Sequence, residues 1–452
     1  MEKRIKILIL SKYIGPEQGI ASVRWTKISK YIHKQYQADI TVVTEHRNFC
    51  DEEDFVLKVR KDKLLEKDLD SIQKLIEVPL NRKLKLYYFM RNLYRKSKSF
   101  DRPSTEIIQE EPVRLRAKIK KEFYILIFDI NNLLWAKAVK RFITNKDFLN
   151  YDVVISSSGP IWPHIVANYI KSKKKKIMWI ADFRDPYAGS IDTNRSFKRH
   201  VRQSMKYCGQ ADCILQVNDT IKTYTPKHVP KFKITNGYDP DEQIKSFPAP
   251  KFNILYTGTM YMFYNIEPLC RAINDLIAEG KIGRGDIRVD FFGNGKRLVD
   301  SQIKSLHVED YVVHHGIISR EETIKQQQKA AILMQMGRNT IQDKCEWTGK
   351  MYEYMMSEKP ILYLVYGEVP YSLPRKQISK IGGYCYEEAD EASTYAGMKD
   401  FLYGLFKEWK DTSDIEVKRD TNYIYQFSYP YIAKKVMNLI EERDKKVGIT
   451  VK

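Results

Sequence analysis

The sequence predicts an α/β protein made of two doubly wound halves, and three observations carry that expectation. Short apolar runs alternate with helical patterns over most of the chain, which is how βαβ units of a parallel sheet read. The alternation halts at NGYDPDEQIKSFPAPK, residues 236–251, where turn formers and three prolines gather, and it resumes at Phe252. The length, 452 residues, exceeds the roughly 100–200 of one domain.

In the first half, strands are expected at 6–10 (KILIL), 40–44 (ITVVT), 152–156 (DVVIS), 176–181, 213–217 and 233–235. Helices fit between them at 21–36, 163–172, 196–208 and 219–224. The first run follows basic residues, as a secretion signal does, but it stops at Leu10 and polar residues follow. It therefore reads as a buried strand. In the second half, strands are expected at 253–257, 288–292, 311–314, 332–336 and 360–364, and helices at 266–279, 296–305, 320–329 and 349–357. The segment 422–442 reads as a further helix with apolar Tyr431, Val436, Leu439 and Ile440.

Composition limits the function classes. Hydrophobic residues make up 43% and charged residues 30%, enough to bury a core, which excludes a disordered chain. Six cysteines, the closest being Cys208 and Cys213, form no CxxC pair, so disulfide scaffolds and zinc ribbons are excluded and a reducing compartment is expected. No run reaches the roughly 18 apolar residues of a spanning helix, so the expectation is a cytoplasmic protein, soluble or peripheral on the cytoplasmic face of a membrane. Lysine and arginine number 77 against 57 acids, a net charge of +20. An anionic partner is implied: nucleic acid, an acidic membrane surface or a phosphorylated small molecule.

One stretch, at about 50–150, departs from the alternation and reads as a helical basic insertion with few strand signals. Within it NRKLKLYYFMRNLYRKSKSF, residues 81–100, carries seven lysines and arginines and no acid. Residues 114–141 read as one long helix, apolar all round at 123–128, hence buried in protein or set against lipid. Basic and aromatic residues together are the pattern of an interfacial segment on an anionic membrane. Packing on the first domain is the alternative.

The run that carries most chemistry is TGKMYEYMMSEKPIL, residues 348–362. A loop enters a helix at Thr348 and Gly349, and Lys350 and Glu353, three apart, share a helical face. The helix start offers free N–H groups and a positive dipole end to a diphosphate, and Lys350 adds a point charge. Glu353, an acceptor-only carboxylate, suits the vicinal hydroxyls of a ribose. An exposed helical ion pair is the plain alternative.

This run resembles the donor site of GT-B-fold glycosyltransferases of family 4, many of which carry Gly-Lys-x-x-Glu at a helix start. GPEQGIASVRW (15–25), SSSGPIWPH (156–164), DFRDPY (182–187) and NGYD (236–239) resemble the family's first glycine loop, its acceptor-domain crevice loops and the end of that domain. The resemblance implies two Rossmann-like doubly wound domains facing a central cleft. Residues 1–238 would form the acceptor-side domain, 239–251 the linker, 252–421 the nucleotide-sugar-binding domain, and 422–452 a helix returning to the first domain. It further implies transfer of a sugar from a nucleotide sugar to a glycan or lipid-linked acceptor, with retention and without a metal or other cofactor, in surface polysaccharide or glycoconjugate synthesis. The rival expectation is a basic binding protein of the same fold without transferase activity. No nucleic-acid signature accompanies the charge, so nucleic acid is not expected as a partner.

Two positions depart from the family pattern. Many members have a glutamate eight residues before the one matching Glu353; here that residue is Cys345, with Glu346 one step off. The loop after the second domain's first strand, TGTMYMFYN (257–265), lacks the usual base, leaving Lys350, Lys296 or Arg338 to supply the charge. Gly258, Gly293 and Gly295 follow strands, where glycine lets a nucleotide approach the backbone or simply permits a turn. Gly19 is placed to approach the donor diphosphate across the cleft, or to permit its own turn. Asp182, Arg184 and Asp185 follow a strand: they either bind acceptor hydroxyls and phosphate, or form an internal Asp–Arg pair that shapes the loop. His164, near a helix start, is either a ligand contact or a satisfied structural histidine. DPD at 239–241 spells a DxD metal motif but lies off any strand end. KSKKKK at 171–176 reads as a solvated helix end, or alternatively as a phospholipid contact.

Overall fold

The computed structural model describes residues 4–47, 61–96, 115–143, 147–189, 192–242 and 247–447. Of the expected basic insertion, residues 48–60, 97–114 and 144–146, and with them Lys98 and Arg114, lie outside the described residues. Two compact units result: one ends at Gly237 and regains the chain from Tyr429, and the other runs from Tyr238 to Ser428.

The first unit is built on a seven-stranded parallel sheet. Its strands are β1 (Lys6–Leu10), β2 (Asp39–Glu45), β3 (Lys74–Val78), β4 (Val153–Ser157), β5 (Met178–Phe183), β6 (Cys213–Gln216) and β7 (Lys231–Lys233). Their order is β3-β2-β1-β4-β5-β6-β7, so the winding reverses between β1 and β4. Alternate residues of β1 feed opposite cores. Ile7 and Ile9 pack with Trp25, Ile28 and Ile32 of the helix Ile20–Tyr36 and with Val436, Met437 and Ile440 of the helix Tyr429–Val447. Leu8 and Leu10 pack with Trp135, Val139, Trp162 and Trp179 on the other face.

Several expectations change here. KLIEV, within the supposedly strand-poor insertion, forms β3 and pairs in parallel with β2. No helix forms at 219–224, because the Asn218 side chain accepts the N–H groups of Thr220 and Ile221 and closes a turn instead. The lysine run at 171–176 is not simply a solvated end. Lys171 donates to Asp212 and the Ile177 carbonyl, and Lys174 donates to the carbonyls of Leu149 and Tyr151.

The second unit has six parallel strands: β8 (Phe252–Thr257), β9 (Ile287–Phe292), β10 (Val312–Gly316), β11 (Ile332–Arg338), β12 (Ile361–Tyr366) and β13 (Gly383–Glu387). Their order, β10-β9-β8-β11-β12-β13, reverses between β8 and β11. Strand β13 and the helix Glu391–Thr412 extend the unit beyond the last strand read from sequence. The described part of the supposed linker belongs to this unit. Trp409 Nε1 donates to the Ala249 carbonyl (2.8 Å), and Tyr238 N–H donates to the Phe427 carbonyl (2.9 Å).

The expected helix at 422–442 is two helices, Thr421–Tyr425 in the second unit and Tyr429–Val447 in the first. Its core face is Ile432, Ala433, Val436, Met437 and Ile440, whereas Tyr431 and Leu439 are only half-buried. Ile440→Ala should therefore destabilise the first unit by about 2–5 kcal/mol. Leu439→Ala should cost distinctly less, and urea unfolding of the full chain checks both.

Candidate functional site

In the second unit the carboxyl ends of three neighbouring strands are drawn together by backbone. Gly258 N–H donates to the Phe292 carbonyl and Gly293 N–H to the Gly316 carbonyl, each at 2.7 Å. Both glycines hold positive φ, 149° and 128°. A Cβ on Gly293 would lie 2.0 Å from the Gly258 carbonyl oxygen, and one on Gly258 would lie 1.5 Å from Lys350 Nζ. No side chain fits at either position. The lysine amine thus lies against the backbone at the end of β8, 4.9 Å from the centroid of the Tyr256 ring.

Thr348 caps the helix Gly349–Met356 with extended backbone, and its buried hydroxyl makes no hydrogen bond among the described residues. Tyr354 anchors that helix, its hydroxyl 3.2 Å from Thr257 Oγ1 and 3.3 Å from the Met334 carbonyl. Lys350 and Glu353 therefore stand where β8 and β11 diverge, the place where open α/β sheets bind ligands. Burial lowers Lys350 to about 8 and pushes the Glu353 carboxyl above its usual range. The ion-pair partner of Glu353 is Arg320, at 3.8 Å, and Gln327 also hydrogen-bonds it. Neither residue carries a sequence signal; both lie on the helix Arg320–Lys329, which the fold brings alongside.

The other residues expected to bind a donor divide. Arg338 ends β11, exposed, with its guanidinium 5.2 Å from the Phe263 ring. Lys296 turns to β10 instead, donating to the His314 carbonyl at 2.8 Å, with Asp300 at 3.5 Å. Gly295 is a tight turn, since a Cβ there would lie 2.7 Å from Met260 Cβ. Cys345 is buried, with its Sγ 3.5 Å from the Tyr363 hydroxyl, and burial pushes its thiol up to about 12. Asp239 accepts the Asp241 N–H with its own carboxylate, closing the turn that spells DPD.

In the first unit Asp182 is 0% exposed. It accepts from Arg24 Nη2 (2.8 Å), Trp25 Nε1 (2.7 Å) and Ser157 Oγ (3.0 Å). Burial alone would raise its carboxyl, but Arg24 and the other donors hold it below the usual range. The expectation that Asp182 reaches an acceptor is corrected: every side of it is taken by protein. Its partner is Arg24, not the neighbouring Arg184. His164 is likewise buried, 2.7 Å from Ser156 Oγ and packed on Phe183, and burial lowers it to about 3. Burial thus disfavours its charged form, and its Nε2 has no hydrogen-bond partner among the described residues.

Arg184 donates to the carbonyls of Ser158 and Gly159 and lies over the Tyr13 ring, which makes it a brace for the loop after β4. Asp185 stays exposed at the end of β5. Gly19 has φ 137° and open space around it, so the backbone rather than crowding demands glycine there.

The structure also assembles a group that sequence reading missed. Trp162 Nε1 donates to buried Glu45 at 2.7 Å, and Lys12 lies 3.6 Å from the same carboxylate. Arg47 donates to the carbonyls of Ile14 and Gly15 and pairs with Glu77. Beside them Glu17 is buried, and desolvation, opposed by Arg47 and Lys12, pushes it up to about 7. Lys12 and Glu17 lie in the loop after β1, Glu45 and Arg47 at and just past the end of β2, Glu77 on β3 and Trp162 after β4, near the reversal between β1 and β4.

No family model matches the chain, and no curated protein matches it by sequence. Solved structures do. A glycosyltransferase from Rickettsia africae ESF-5 aligns over 97% of this chain and 98% of its own, at 14% identity and a TM-score of 0.54. TarM aligns over 97% and 99%, at 13% identity and 0.55. The fold is GT-B. A sucrose-phosphate synthase from Thermosynechococcus elongatus matches this GT-B chain to a similar degree, over 98% and 100% at 12% identity and 0.54.

Two outcomes test the assignments in the first unit. Asp182→Ala should cost about 3–5 kcal/mol, because it strands the Arg24 charge in the core. Asp185→Asn should stay within about 0.5 kcal/mol of the parent. For Glu17, a folded-state pKa above the ordinary 4.5 means that the native state holds its proton longer, so stability falls as pH rises from 4.5 to about 7. Glu17→Gln should remove that fall, as read by thermal melts across the interval.

Proposed function

We propose that this chain is a glycosyltransferase that moves a sugar from a nucleotide sugar to a glycan or lipid-linked acceptor, with retention, in surface polysaccharide or glycoconjugate synthesis. The observation that carries the reading is Lys350 lying on the Gly258 backbone, one helical turn from Glu353, at the reversal point of the second sheet. The first N–H groups of the helix Gly349–Met356 have no partner within the helix and suit a diphosphate. Glu353, braced by Arg320, accepts from ribose hydroxyls. As the bond between the anomeric carbon and the diphosphate breaks, negative charge grows on the leaving group, and a pre-placed ammonium and helix N-terminus stabilise it. The reading needs no resident metal or cofactor beyond the nucleotide sugar itself. The glycosyltransferase neighbours support it at the level of fold.

A second reading, a GT-B binding protein without activity, draws on the absence of a base in 257–265 and on buried Cys345 where many family members carry glutamate. Turnover of any member of a nucleotide-sugar panel, set beside RNA binding at two salt concentrations, separates the two. The transferase reading requires turnover and no salt-resistant RNA complex.

Binding of nucleoside diphosphates, followed by calorimetry, tests the site directly. Lys350→Ala and Glu353→Ala should each weaken it about ten- to a hundredfold, from the loss of a charge-assisted hydrogen bond of roughly 1.5–3 kcal/mol. Because Lys350 is lowered to about 8, the free protein loses its ammonium as pH rises through that value. Parent affinity should fall over the same interval, and Lys350→Ala should be weak but flat. Undiminished affinity in both variants overturns the site.

A further inference from the structure

We infer that the helices Arg82–Lys96, Leu115–Ile143 and Asn194–Tyr207 form a docking surface for an anionic lipid membrane, with apolar side chains entering the headgroup layer and basic ones flanking them. The inference stands on this surface alone and is independent of glycosyl transfer.

Charge is the first argument. These helices hold 18 lysines and arginines against two acids, an excess of 16 in a chain whose whole net charge is +20. Both acids point inward to basic partners. Glu122 pairs with Arg199 at 2.7 Å, and Asp129 pairs with Arg199 at 2.9 Å and with His200 at 3.0 Å. On the helix Asn194–Tyr207, Arg195, Lys198, Arg202 and Lys206 recur at helical spacing and are exposed. Arg195, Lys198, Arg199 and Arg202 line one concavity of about 420 Å³.

Apolar exposure is the second. On the helix Leu115–Ile143, Phe123, Leu126, Ile130 and Leu133 recur every three or four residues and are all exposed, Phe123 by 51%. Lys137 and Arg141 continue the same stripe as exposed basic residues. On the helix Arg82–Lys96, Leu86, Phe89 and Met90 form a second exposed stripe, Phe89 by 61%, with Arg82, Lys83 and Lys85 exposed at its start. The opposite faces hold the helices to the protein and to each other: Trp135 Nε1 donates to the Tyr88 hydroxyl at 3.0 Å, and the Tyr87 hydroxyl to the Ile127 carbonyl at 3.2 Å.

These exposed stripes are therefore not faces awaiting the sheet, whose core is already closed by Trp135, Ala136 and Val139. The residues at 123–128, expected to be buried or lipid-facing, bury only Ile125 in this chain. Among the described residues no helix is long and apolar enough to cross a membrane. Bulky apolar residues bounded by lysine and arginine on an anchored helix fit one that lies in the interface plane. A protein partner would meet the same apolar residues, but the exposed basic residues named above favour a uniformly anionic surface.

Co-sedimentation of the full chain with vesicles tests the inference. Vesicles of phosphatidylcholine with 30% phosphatidylglycerol, roughly the charge of an acidic leaflet, should recover the protein, phosphatidylcholine alone should not, and raised salt should release it. The apolar variant Phe89→Ser, Met90→Ser, Phe123→Ser and Leu133→Ser should lower partitioning at least about tenfold. The basic variant Arg195→Gln, Lys198→Gln and Arg202→Gln should lower it on the order of a hundredfold. Both should keep the parent melting temperature, because the changed side chains are exposed. Equal recovery with neutral and anionic vesicles, no recovery with either, or unchanged partitioning of both variants overturns the inference. So does a parent dimer that the apolar variant dissociates while neither form binds vesicles, or an RNA complex formed in place of vesicle binding.

Discussion

Arg24 carries a permanent charge that is only 1% exposed, and the first unit is arranged around satisfying it. Its guanidinium donates to Asp182 at the end of β5 and to the carbonyls of Ile234 and Thr235, while Asp182 also takes Ser157 at the end of β4 and Trp25 beside Arg24 itself. One buried pair thus fixes a helix, two strand ends and the last segment of the unit. Desolvating both charges is costly, and the cost is offset only because nearly every donor and acceptor finds a partner at good distance. The specificity of the pair follows from that requirement. The loops 156–160 and 182–187 cannot take another arrangement while the guanidinium needs those partners.

The second unit solves the same problem of shaping a strand-end crevice by the opposite means. Glycines at 258 and 293 let backbone meet backbone, and the space left by the missing side chain of Gly258 is taken by Lys350. Arg24 is saturated by a carboxylate, whereas Lys350 has an aromatic ring and backbone for neighbours, with Glu353 acting on it only at longer range. Burial accordingly lowers the lysine and leaves it close to losing its proton, so an anion placed there would gain both a hydrogen bond and a full charge. A saturated charge holds a fold, and an unsaturated one is suited to a ligand. The two crevices separate along that line.

Local sequence revealed the central strands and two of the four edge strands, β7 and β10, and hid the other two, β3 and β13. KILIL and ITVVT are dominated by apolar and β-branched residues, as strands covered on both faces are, so β1 and β2 were legible. KLIEV and GYCYE are the outermost strands β3 and β13; each mixes polar residues into a short run because one side of an edge strand meets water. The helix not formed at 219–224 fails through one side chain, Asn218, whose competition with the backbone no periodicity records. At the site, Lys350 and Glu353 were legible because their relation is local, three residues along one helix. The partner of Asp182 was not, because Arg24 lies 158 residues earlier and only the fold makes them neighbours. For the same reason Glu17 gave no sign of its raised pKa, which depends on burial beside Arg47 and Lys12.

The net charge, ambiguous as a total, becomes informative once it is placed. Lys350, Arg320 and Arg338 are few, and Arg320 is already engaged with Glu353 and Glu242, so the crevice of the second unit does not account for +20. The lysine run at 171–176 adds only part of its charge to the surface, because Lys171 pairs with Asp212 and Lys174 turns to backbone carbonyls, while Lys173, Lys175 and Lys176 stay exposed. Most of the excess gathers on three helices of the first unit, beside apolar side chains that are exposed among the described residues. Charge spread for solubility would alternate with acids and avoid exposed phenylalanine. On the docking surface inferred above, charge gathered at an apolar stripe would instead set where the protein resides. An acceptor held in the same lipid surface would then be met at a local concentration fixed by the membrane rather than by the bulk solution, an advantage that needs no added contact at the crevice itself.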